Sequence, residues 1–461
     1  MSDVDAYLDA HHARHVEQLV EYLTIPSVSA LSAHAGDVRR CAAWTADALR
    51  RVGLEHVEIV ETAGHPIVYG DWLHAPGAPT ALVYGHYDVQ PADPVDAWTS
   101  PPFAPAVRDG RLYARGATDD KGQLFIHVAA IEAHLAVRRR LPLNVKVLIE
   151  GEEEVGGVHL EAFVRERRAL LAADVVVDSD TAMFARGVPS LARALRGIAC
   201  FQLDVRGAAR DLHSGSFGGA VANPAQALAT LLAGLRDADG RVAIPGFYDD
   251  VRPLDDADRA ELAALPFDER AWRESLGIGA AAGEAGYTTL ERMWARPTLD
   301  VNGLASGFAG QGFKTVLPAL ATAKLSMRLV PDQDPARVGD LLEARLAALA
   351  ARTQPLGALR VTLTRLHGGA PWSLPRDHPA LAAAARAFEH AFGRRPVLTR
   401  EGGSNPIVST FQEVLGAPTL LFGVGLPDEN AHAPDEHLDL DNFRRGAHAA
   451  ARLYDELAAP R

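Results

Sequence analysis

Short apolar segments alternate with longer amphipathic ones through residues 1–195 and again through residues 371–461. Residues 81–84 and 145–149 are apolar runs of the kind that form buried strands. In residues 122–138, apolar side chains recur with the period of a helix. This alternation predicts an α/β fold in which helices cover both faces of a mixed or parallel sheet.

The pattern changes near Arg196 and changes back near residue 370. Between these points, several segments alternate apolar and polar residues as half-buried antiparallel strands do, and two longer segments have helical spacing. Few strands and two long helices predict a small α+β domain of the ferredoxin-like kind. The strands are predicted over residues 198–205, 320–329 and 359–366, and the helices over residues 224–235 and 334–352.

The length of the chain predicts more than one domain, because 461 residues are too many for one hydrophobic core. The α/β pattern stops at one point and resumes at another. We therefore interpret residues 1–195 and 371–461 as two parts of one domain, and residues 196–370 as a domain inserted between them.

Composition argues against several classes of protein. A net charge of −13 leaves no basic excess to neutralise phosphates, so no nucleic-acid partner is expected. No apolar run of about 18 residues predicts a membrane span, and the acidic N-terminal segment does not resemble a signal peptide. Cys41 and Cys200 are the only cysteines and lie far apart in the sequence, which favours a reducing cytoplasm.

Acidic and imidazole side chains collect where the predicted strands end. Each cluster by itself is compatible with a helix cap, a solvated surface or an exposed histidine. Their common placement is more informative, because the carboxyl ends of strands in an α/β sheet meet at one edge. The clusters lie in segments 84–91 (YGHYDVQP), 115–122 (RGATDDKG), 150–157 (EGEEEVGG), 178–180 (DSD) and 430–432 (NAH).

This concentration of carboxylates indicates bound cations. Burying so much negative charge without them would cost several kcal/mol per group. Imidazole and carboxylate are ligands that suit zinc and similar divalent ions. Two ions bridged by one carboxylate, roughly 3.5–4 Å apart, would relieve the repulsion and are typical of two-metal hydrolases.

These segments resemble the metallopeptidase family of carnosine dipeptidases, glutamate carboxypeptidases, aminoacylases and desuccinylases, over essentially the whole chain. Segments 211–215 (DLHSG), 326–331 (SMRLVP) and 400–404 (REGGS) are most similar to its cytosolic, non-specific dipeptidase branch. The resemblance implies a two-metal catalytic domain, an inserted lid and dimerisation domain, and a homodimer formed through that insertion.

The resemblance also implies a role for each residue of the clusters. Asp119 would bridge both metals, and Asp88 would orient His86. Glu153 would be the general base that takes a proton from the metal-bridging water and delivers it to the leaving amine. A cis peptide bond between Asp119 and Asp120 is implied as well. His86 and Asp180 would complete one metal site, and Glu154 and His432 the other.

In the inserted domain, His213 would stabilise the developing oxyanion and would reach the metal centre of the partner chain. Arg328 would pair with the free carboxylate of the substrate, since its planar fork suits a bidentate partner. Ser404 and Thr315 would hydrogen-bond the same end of the substrate.

The expected activity is hydrolysis of the amide bond in dipeptides or short peptides with a free C-terminal carboxylate. The alternative enzyme is an N-acyl amino acid amidohydrolase with the same two-metal chemistry. A binding or scaffold protein on this fold would have lost the base or a ligand, yet Glu153 and all five ligand positions are present. Zinc is the expected metal, although manganese and cobalt accept the same ligands.

Overall fold

The computed structural model describes residues 2–352 and 359–459. The chain forms two compact units: the first comprises Met1–Arg193, Leu374–Thr399 and Thr410–Arg461, and the second comprises Ala194–Ser373 and Arg400–Ser409. The boundaries 1–195, 196–370 and 371–461 remain a prediction. The visible difference is that residues 400–409 group with the second unit.

A six-stranded mixed sheet forms the centre of the first unit. Thr80–His86 pairs in parallel with Asn144–Glu150 on one side and with Val175–Asp178 on the other. The carboxyl ends of these three strands therefore meet at one edge of the sheet. In spatial order the strands are Glu55–Val60, Ile67–Trp72, Asn144–Glu150, Thr80–His86, Val175–Asp178 and Thr419–Leu421.

The helices of the first unit cover this sheet. Lys121–Arg138 packs against Thr80–His86, and Leu440–Ala458 packs against Lys121–Arg138. A Cβ at Gly122 would lie 2.0 Å from the carbonyl oxygen of Ala117, so glycine lets the helix begin close to the loop before it. The remaining helical segments are Asp3–Leu23, Ser32–His34, Ala35–Arg51, Val95–Ala97, Glu153–Val155, Val158–Glu166, Arg168–Leu171, Pro379–Phe392 and Phe411–Leu415, while Pro406–Thr410 lies almost entirely in the second unit.

A small antiparallel sheet connects two distant segments of the first unit. His437–Asp439 pairs with Arg111–Tyr113, which in turn pairs with Ala106–Arg108. The chain just after His432 is thereby fixed beside the chain that leads into Asp119.

The second unit has a ferredoxin-like sheet, which confirms the predicted fold class. Its four strands are antiparallel, and the helices Pro224–Ala233 and Pro335–Arg352 pack on the sheet through a shared core that includes Leu203, Leu231 and Leu342. In spatial order the strands are Thr298–Ser306, Leu320–Leu329, Gly197–Arg206 and Arg360–Gly369.

The prediction of three strands in this sheet is wrong by one. Thr298–Ser306 was missed because Leu299 is its only buried side chain, so the edge strand shows no regular alternation. The shorter elements of this unit are Leu212–His213, Ser214–Phe217, Asp256–Ala263, Glu269–Leu276, Thr289–Trp294 and Val316–Leu317. Three further short strands, Ser190–Leu195, Trp372–Ser373 and Val397–Glu401, lie where the chain passes from one unit to the other.

Among the helices in the described part of the chain, none has the length and apolar character needed to cross a bilayer.

Candidate metal centre

The first group of candidate ligands lies at the carboxyl edge of the six-stranded sheet. His86 is the last residue of its strand, and Asp180 follows the neighbouring parallel strand by two residues. His86 Nε2 lies 3.1 Å from Asp119 Oδ1 and 3.6 Å from Asp180 Oδ2. Three potential ligand atoms from separate segments are therefore close enough to hold one ion.

The backbone at His86 is fixed by a neighbouring carboxylate. Asp120 Oδ2 accepts a hydrogen bond from the backbone N–H of His86 at 3.1 Å. A Cβ at position 85 would lie 2.6 Å from the same oxygen, which is why glycine precedes the histidine. The peptide bond between Asp119 and Asp120 is cis, as the resemblance implies.

The second group of candidate ligands lies on loops. Glu154 lies in the short helical turn Glu153–Val155, just after the strand Asn144–Glu150, and His432 has a φ of 61°. His432 Nε2 lies 2.8 Å from Asp119 Oδ2 and 3.2 Å from Glu154 Oε2. These three residues meet the same distance condition as the first group.

Asp119 belongs to both groups, and it uses a different oxygen for each. Oδ1 faces His86, whereas Oδ2 faces His432. The contacts of 2.8–3.6 Å compare well with the spacing of roughly 3.3 Å between ligands that surround a zinc ion tetrahedrally at about 2.0 Å. The donor set, two imidazoles and several carboxylates, also suits a divalent ion. The residues fit a pair of cations that share one carboxylate.

The pKa values indicate how much negative charge this cluster concentrates. Burial alone would lower the pKa of His86, yet the adjoining carboxylates, above all Asp119, raise it well above the ordinary value. Asp119 and Glu154 raise the pKa of His432 to about 10. The raised pKa values show how much negative charge surrounds each imidazole. Because a ligating imidazole must be neutral, metal ions would compete with protons for these nitrogens.

Glu153 is a partly buried residue whose carboxyl interacts electrostatically with His86, Asp180 and Asp119 of the first group. Burial, together with the charge of Asp180 and Glu154, raises its pKa to about 9. A nearby divalent cation would reverse this effect and stabilise the carboxylate. Within residues 2–352 and 359–459, no hydrogen bond to the Glu153 carboxyl is found, and its predicted role as general base stays a prediction.

Asp88 contacts His86 differently from the expectation. His86 Nδ1 lies 3.1 Å from the backbone oxygen of Asp88, whereas the carboxylate oxygen is 3.4 Å away. The carboxylate instead accepts hydrogen bonds from the backbone N–H groups of Glu153 and Glu154, both at 3.2 Å. Asp88 therefore connects the histidine of the first group with the glutamate turn, and the predicted role of its carboxylate in orienting the imidazole stays a prediction.

Sequence reasoning missed a further contact to this turn. Gln90 Nε2 donates a hydrogen bond to Glu154 Oε2 at 2.7 Å. Gln90 lies four residues after His86 in the segment already singled out, but a neutral amide carries no signal of its own.

The four predicted site residues of the second unit lie in two places. Arg328 Nη1 donates a hydrogen bond to Ser404 Oγ at 2.8 Å. His213 pairs with Val316 in a two-stranded ladder, and the backbone of Thr315 accepts a hydrogen bond from the N–H of Ser214. His213 is exposed, and its Nδ1 accepts the backbone N–H of Gly215.

A second guanidinium, which sequence reasoning missed, lies beside the first of these places. Burial and then the charge of Arg328 lower the pKa of Arg196 to about 10. The backbone oxygen of Arg196 also accepts a hydrogen bond from Ser404 Oγ. Two adjacent guanidiniums make this part of the second unit suitable for an anionic group. No motif surrounds Arg196 that would have revealed it.

The model of the peptidase family M20/M25/M40 matches residues 82–456. The chain belongs to this family. The matched region begins just before His86 and extends beyond His432, so it contains every candidate ligand.

Individual members of the M20/M25/M40 family are similar to this chain over most of its length. A Cys-Gly metallodipeptidase of Schizosaccharomyces pombe is 34% identical over 89% of this chain and 86% of its own. The human Beta-Ala-His dipeptidase is 31% identical over 99% of this chain and 93% of its own. The crystal structure of an M20 family metallo-carboxypeptidase from Sulfolobus solfataricus superposes with a TM-score of 0.84, at 31% identity, covering 96% of this chain and 99% of that one.

We expect protein purified without chelators to contain close to two equivalents of divalent metal, because Asp119 completes two ligand groups. Asp119→Asn should lose both equivalents. The exposed Asp96 belongs to neither group, so Asp96→Asn should retain them. Elemental analysis of the desalted proteins measures this. A single equivalent that does not increase when metal is added would contradict the shared site.

Proposed function

We propose that this protein is a metal-dependent dipeptidase that hydrolyses the amide bond of dipeptides or short peptides with a free C-terminal carboxylate. The observation that carries the proposal is the position of Asp119, whose two oxygens face separate imidazole and carboxylate groups. Relatives named as dipeptidases, at 31–34% identity over most of the chain, support the substrate class.

We propose zinc as the native metal, held by the residues of the two groups. Bound divalent cations supply Lewis acidity to the scissile carbonyl and make water a stronger nucleophile near neutral pH. His86 and Asp180 would hold one ion, Glu154 and His432 would hold the other, and Asp119 would contribute to both. The mixture of nitrogen and oxygen donors supports zinc, as it does manganese and cobalt.

Glu153 acts as the general base in this proposal. It accepts a proton from the attacking water and then donates that proton to the nitrogen of the leaving amine. Its neighbour Glu154 contacts His432 and Gln90, so adjacent glutamates have separate tasks. The Asp88 carboxylate fixes the backbone of both glutamates by accepting their N–H groups.

Arg328 and Ser404 bind the C-terminal carboxylate of the substrate, and Thr315 adds a hydrogen bond. Two observations support this role: Arg328 contacts Ser404 directly, and the guanidinium of Arg196 lies close to that of Arg328. A dipeptide offers this carboxylate at a fixed distance from its one peptide bond. A blocked C-terminus would leave the guanidiniums without a counter-charge.

We further propose a homodimer formed through the second unit, in which His213 serves the metal centre of the partner subunit and stabilises the developing oxyanion. The edge strand Thr298–Ser306 supports this, because it exposes apolar side chains such as Leu304. Phe313 is 91% exposed, which is unusual for a phenylalanine outside an interface.

A cytoplasmic location is proposed from the free cysteines Cys41 and Cys200.

The first prediction of this mechanism separates the two adjacent glutamates. Glu153→Gln should keep both metals but lower kcat by about 10²–10⁴-fold, because an amide cannot accept the proton of water. Glu154→Gln should weaken metal binding instead. Steady-state kinetics and metal analysis of both variants measure this. If the two phenotypes were exchanged, the assigned roles would be wrong.

The second prediction tests recognition of the carboxylate and, with it, the substrate class. The native enzyme should hydrolyse an unblocked dipeptide much faster than its C-terminal amide or the matching N-acyl amino acid. Arg328→Ala should raise KM for the unblocked dipeptide, whereas Arg206→Ala, an exposed arginine on the neighbouring strand, should not. Equal rates on the free and amidated dipeptides would remove Arg328 from substrate binding. Preference for the N-acyl amino acid would identify an amidohydrolase.

The third prediction tests the role of His213 in the dimer. His213→Ala and Glu153→Ala should each be nearly inactive alone. In a mixed dimer, one of the two sites combines an intact Glu153 with the partner subunit's His213. Equal amounts give mixed dimers in half of the assemblies, so roughly a quarter of native activity should return after subunit exchange. If exchange were verified and no activity returned, the role in trans would be rejected.

A further inference from the structure

The side-chain carboxylate of Glu436, in the segment after His432, accepts four hydrogen bonds. Glu436 is fully buried. Its Oε2 accepts from Arg115 Nη1 at 2.8 Å and from the N–H of Gly116 at 3.0 Å. Its Oε1 accepts from the N–H groups of Thr118 and Asp119 at 3.1 and 3.2 Å. One side chain therefore fixes the backbone of the loop that carries the shared ligand Asp119.

A second buried carboxylate performs the same task on the other side of His432. Glu429 Oε2 accepts from Thr118 Oγ1 at 2.6 Å and from the N–H of Leu426 at 2.8 Å. Its Oε1 accepts from the N–H of Asp439 at 2.7 Å. Like Glu436, it is fully buried. Both ends of the segment 429–436 are thus hydrogen-bonded to residues 115–119: Glu429 contacts Thr118, and Glu436 contacts the backbone of the same loop.

The residues between these two glutamates adopt an unfavourable backbone. Asn430, His432 and Asp435 have φ values of 57°, 61° and 58°, in the left-handed region that favours glycine. Such a loop keeps its shape only when its surroundings determine it. Asp435 adds one such restraint, since its carboxylate accepts the N–H and hydroxyl of Thr99.

We propose that Glu429 and Glu436 are positioning residues that hold the His432 loop against the Asp119 loop and thereby set the affinity of the metal centre. The inference rests on the proposed metal centre. His86 and Asp180 lie on or directly after strands of the rigid sheet, whereas Asp119 and His432 lie on loops. The 2.8 Å contact between His432 and Asp119 depends on how those loops are held together.

Both oxygens of Glu436 must act as hydrogen-bond acceptors, because N–H donors contact each of them. Glu436→Gln preserves the volume of the side chain but replaces one oxygen with an NH₂ group. In one orientation that group faces the Arg115 guanidinium and the N–H of Gly116. In the other it faces the N–H groups of Thr118 and Asp119. Either way a buried donor meets another donor, and the Asp119 loop must shift.

The test measures zinc affinity rather than activity. Metal-free Glu436→Gln is titrated with Zn²⁺ against a chromophoric chelator, and its unfolding temperature is recorded without metal. Outer partners of metal ligands typically contribute about 10–100-fold in affinity, and we expect a loss of that size. The matched control is Glu284→Gln, which breaks the buried Glu284–Arg296 pair of the second unit. It should lower the unfolding temperature without changing zinc affinity.

Each outcome of this titration has a definite meaning. Native zinc affinity in Glu436→Gln overturns the inference. An equal loss in Glu284→Gln also overturns it, because general destabilisation would then explain the effect. If Glu436→Gln does not fold, Thr118→Val decides, since it removes only the hydroxyl bond to Glu429: weaker zinc binding supports the inference and native affinity rejects it. If the native protein bound no zinc, the proposed metal centre itself would fail, which is a distinguishable result.

Discussion

The concentration of carboxylates at one edge of the sheet is the constraint on which this structure depends. Asp119, Asp180, Glu153 and Glu154 lie close enough to influence one another, and burial raises the pKa of Glu153 to about 9. Such a cluster is unstable unless positive charge lies within it. Divalent ions bound by these carboxylates would supply that charge. Stability and hydrolytic chemistry therefore make the same demand on these residues.

The fold meets this demand with two kinds of support. Parallel strands carry His86 and the approach to Asp180, so ladder hydrogen bonds fix these positions directly. The loops that carry Asp119 and His432 have no such ladder at the ligand itself. Buried glutamates replace it by accepting backbone N–H groups, and the pairing of His437–Asp439 with Arg111–Tyr113 continues the connection. Secondary structure and side-chain hydrogen bonds thus contribute to one site in different places.

Much of this arrangement could be predicted from the sequence, and the reasons for the exceptions are physical. The ends of buried strands are visible as apolar runs, which is why His86, Glu154 and Asp180 could be placed at one edge. The edge strand Thr298–Ser306 buries too few side chains to show a period. Arg196 and Glu436 act through partners far away in the sequence, and no local spacing reveals such partners. The carboxylate of Asp88 illustrates the same point, because it contacts backbone 65 residues away.

The two units divide the chemistry between them. The candidate metal ligands and Glu153 all belong to the first unit, whereas His213, Thr315, Arg328 and Ser404 all belong to the second. The ligand set is tightly constrained, because each carboxylate changes the pKa of its neighbours and the loops are fixed by buried glutamates. The residues proposed to recognise the substrate contact other residues of their own unit, since Arg328 donates to Ser404 and Ser404 donates to the backbone oxygen of Arg196. In the proposed mechanism, substitutions in the second unit change which amide is accepted and leave the candidate metal ligands of the first unit in place.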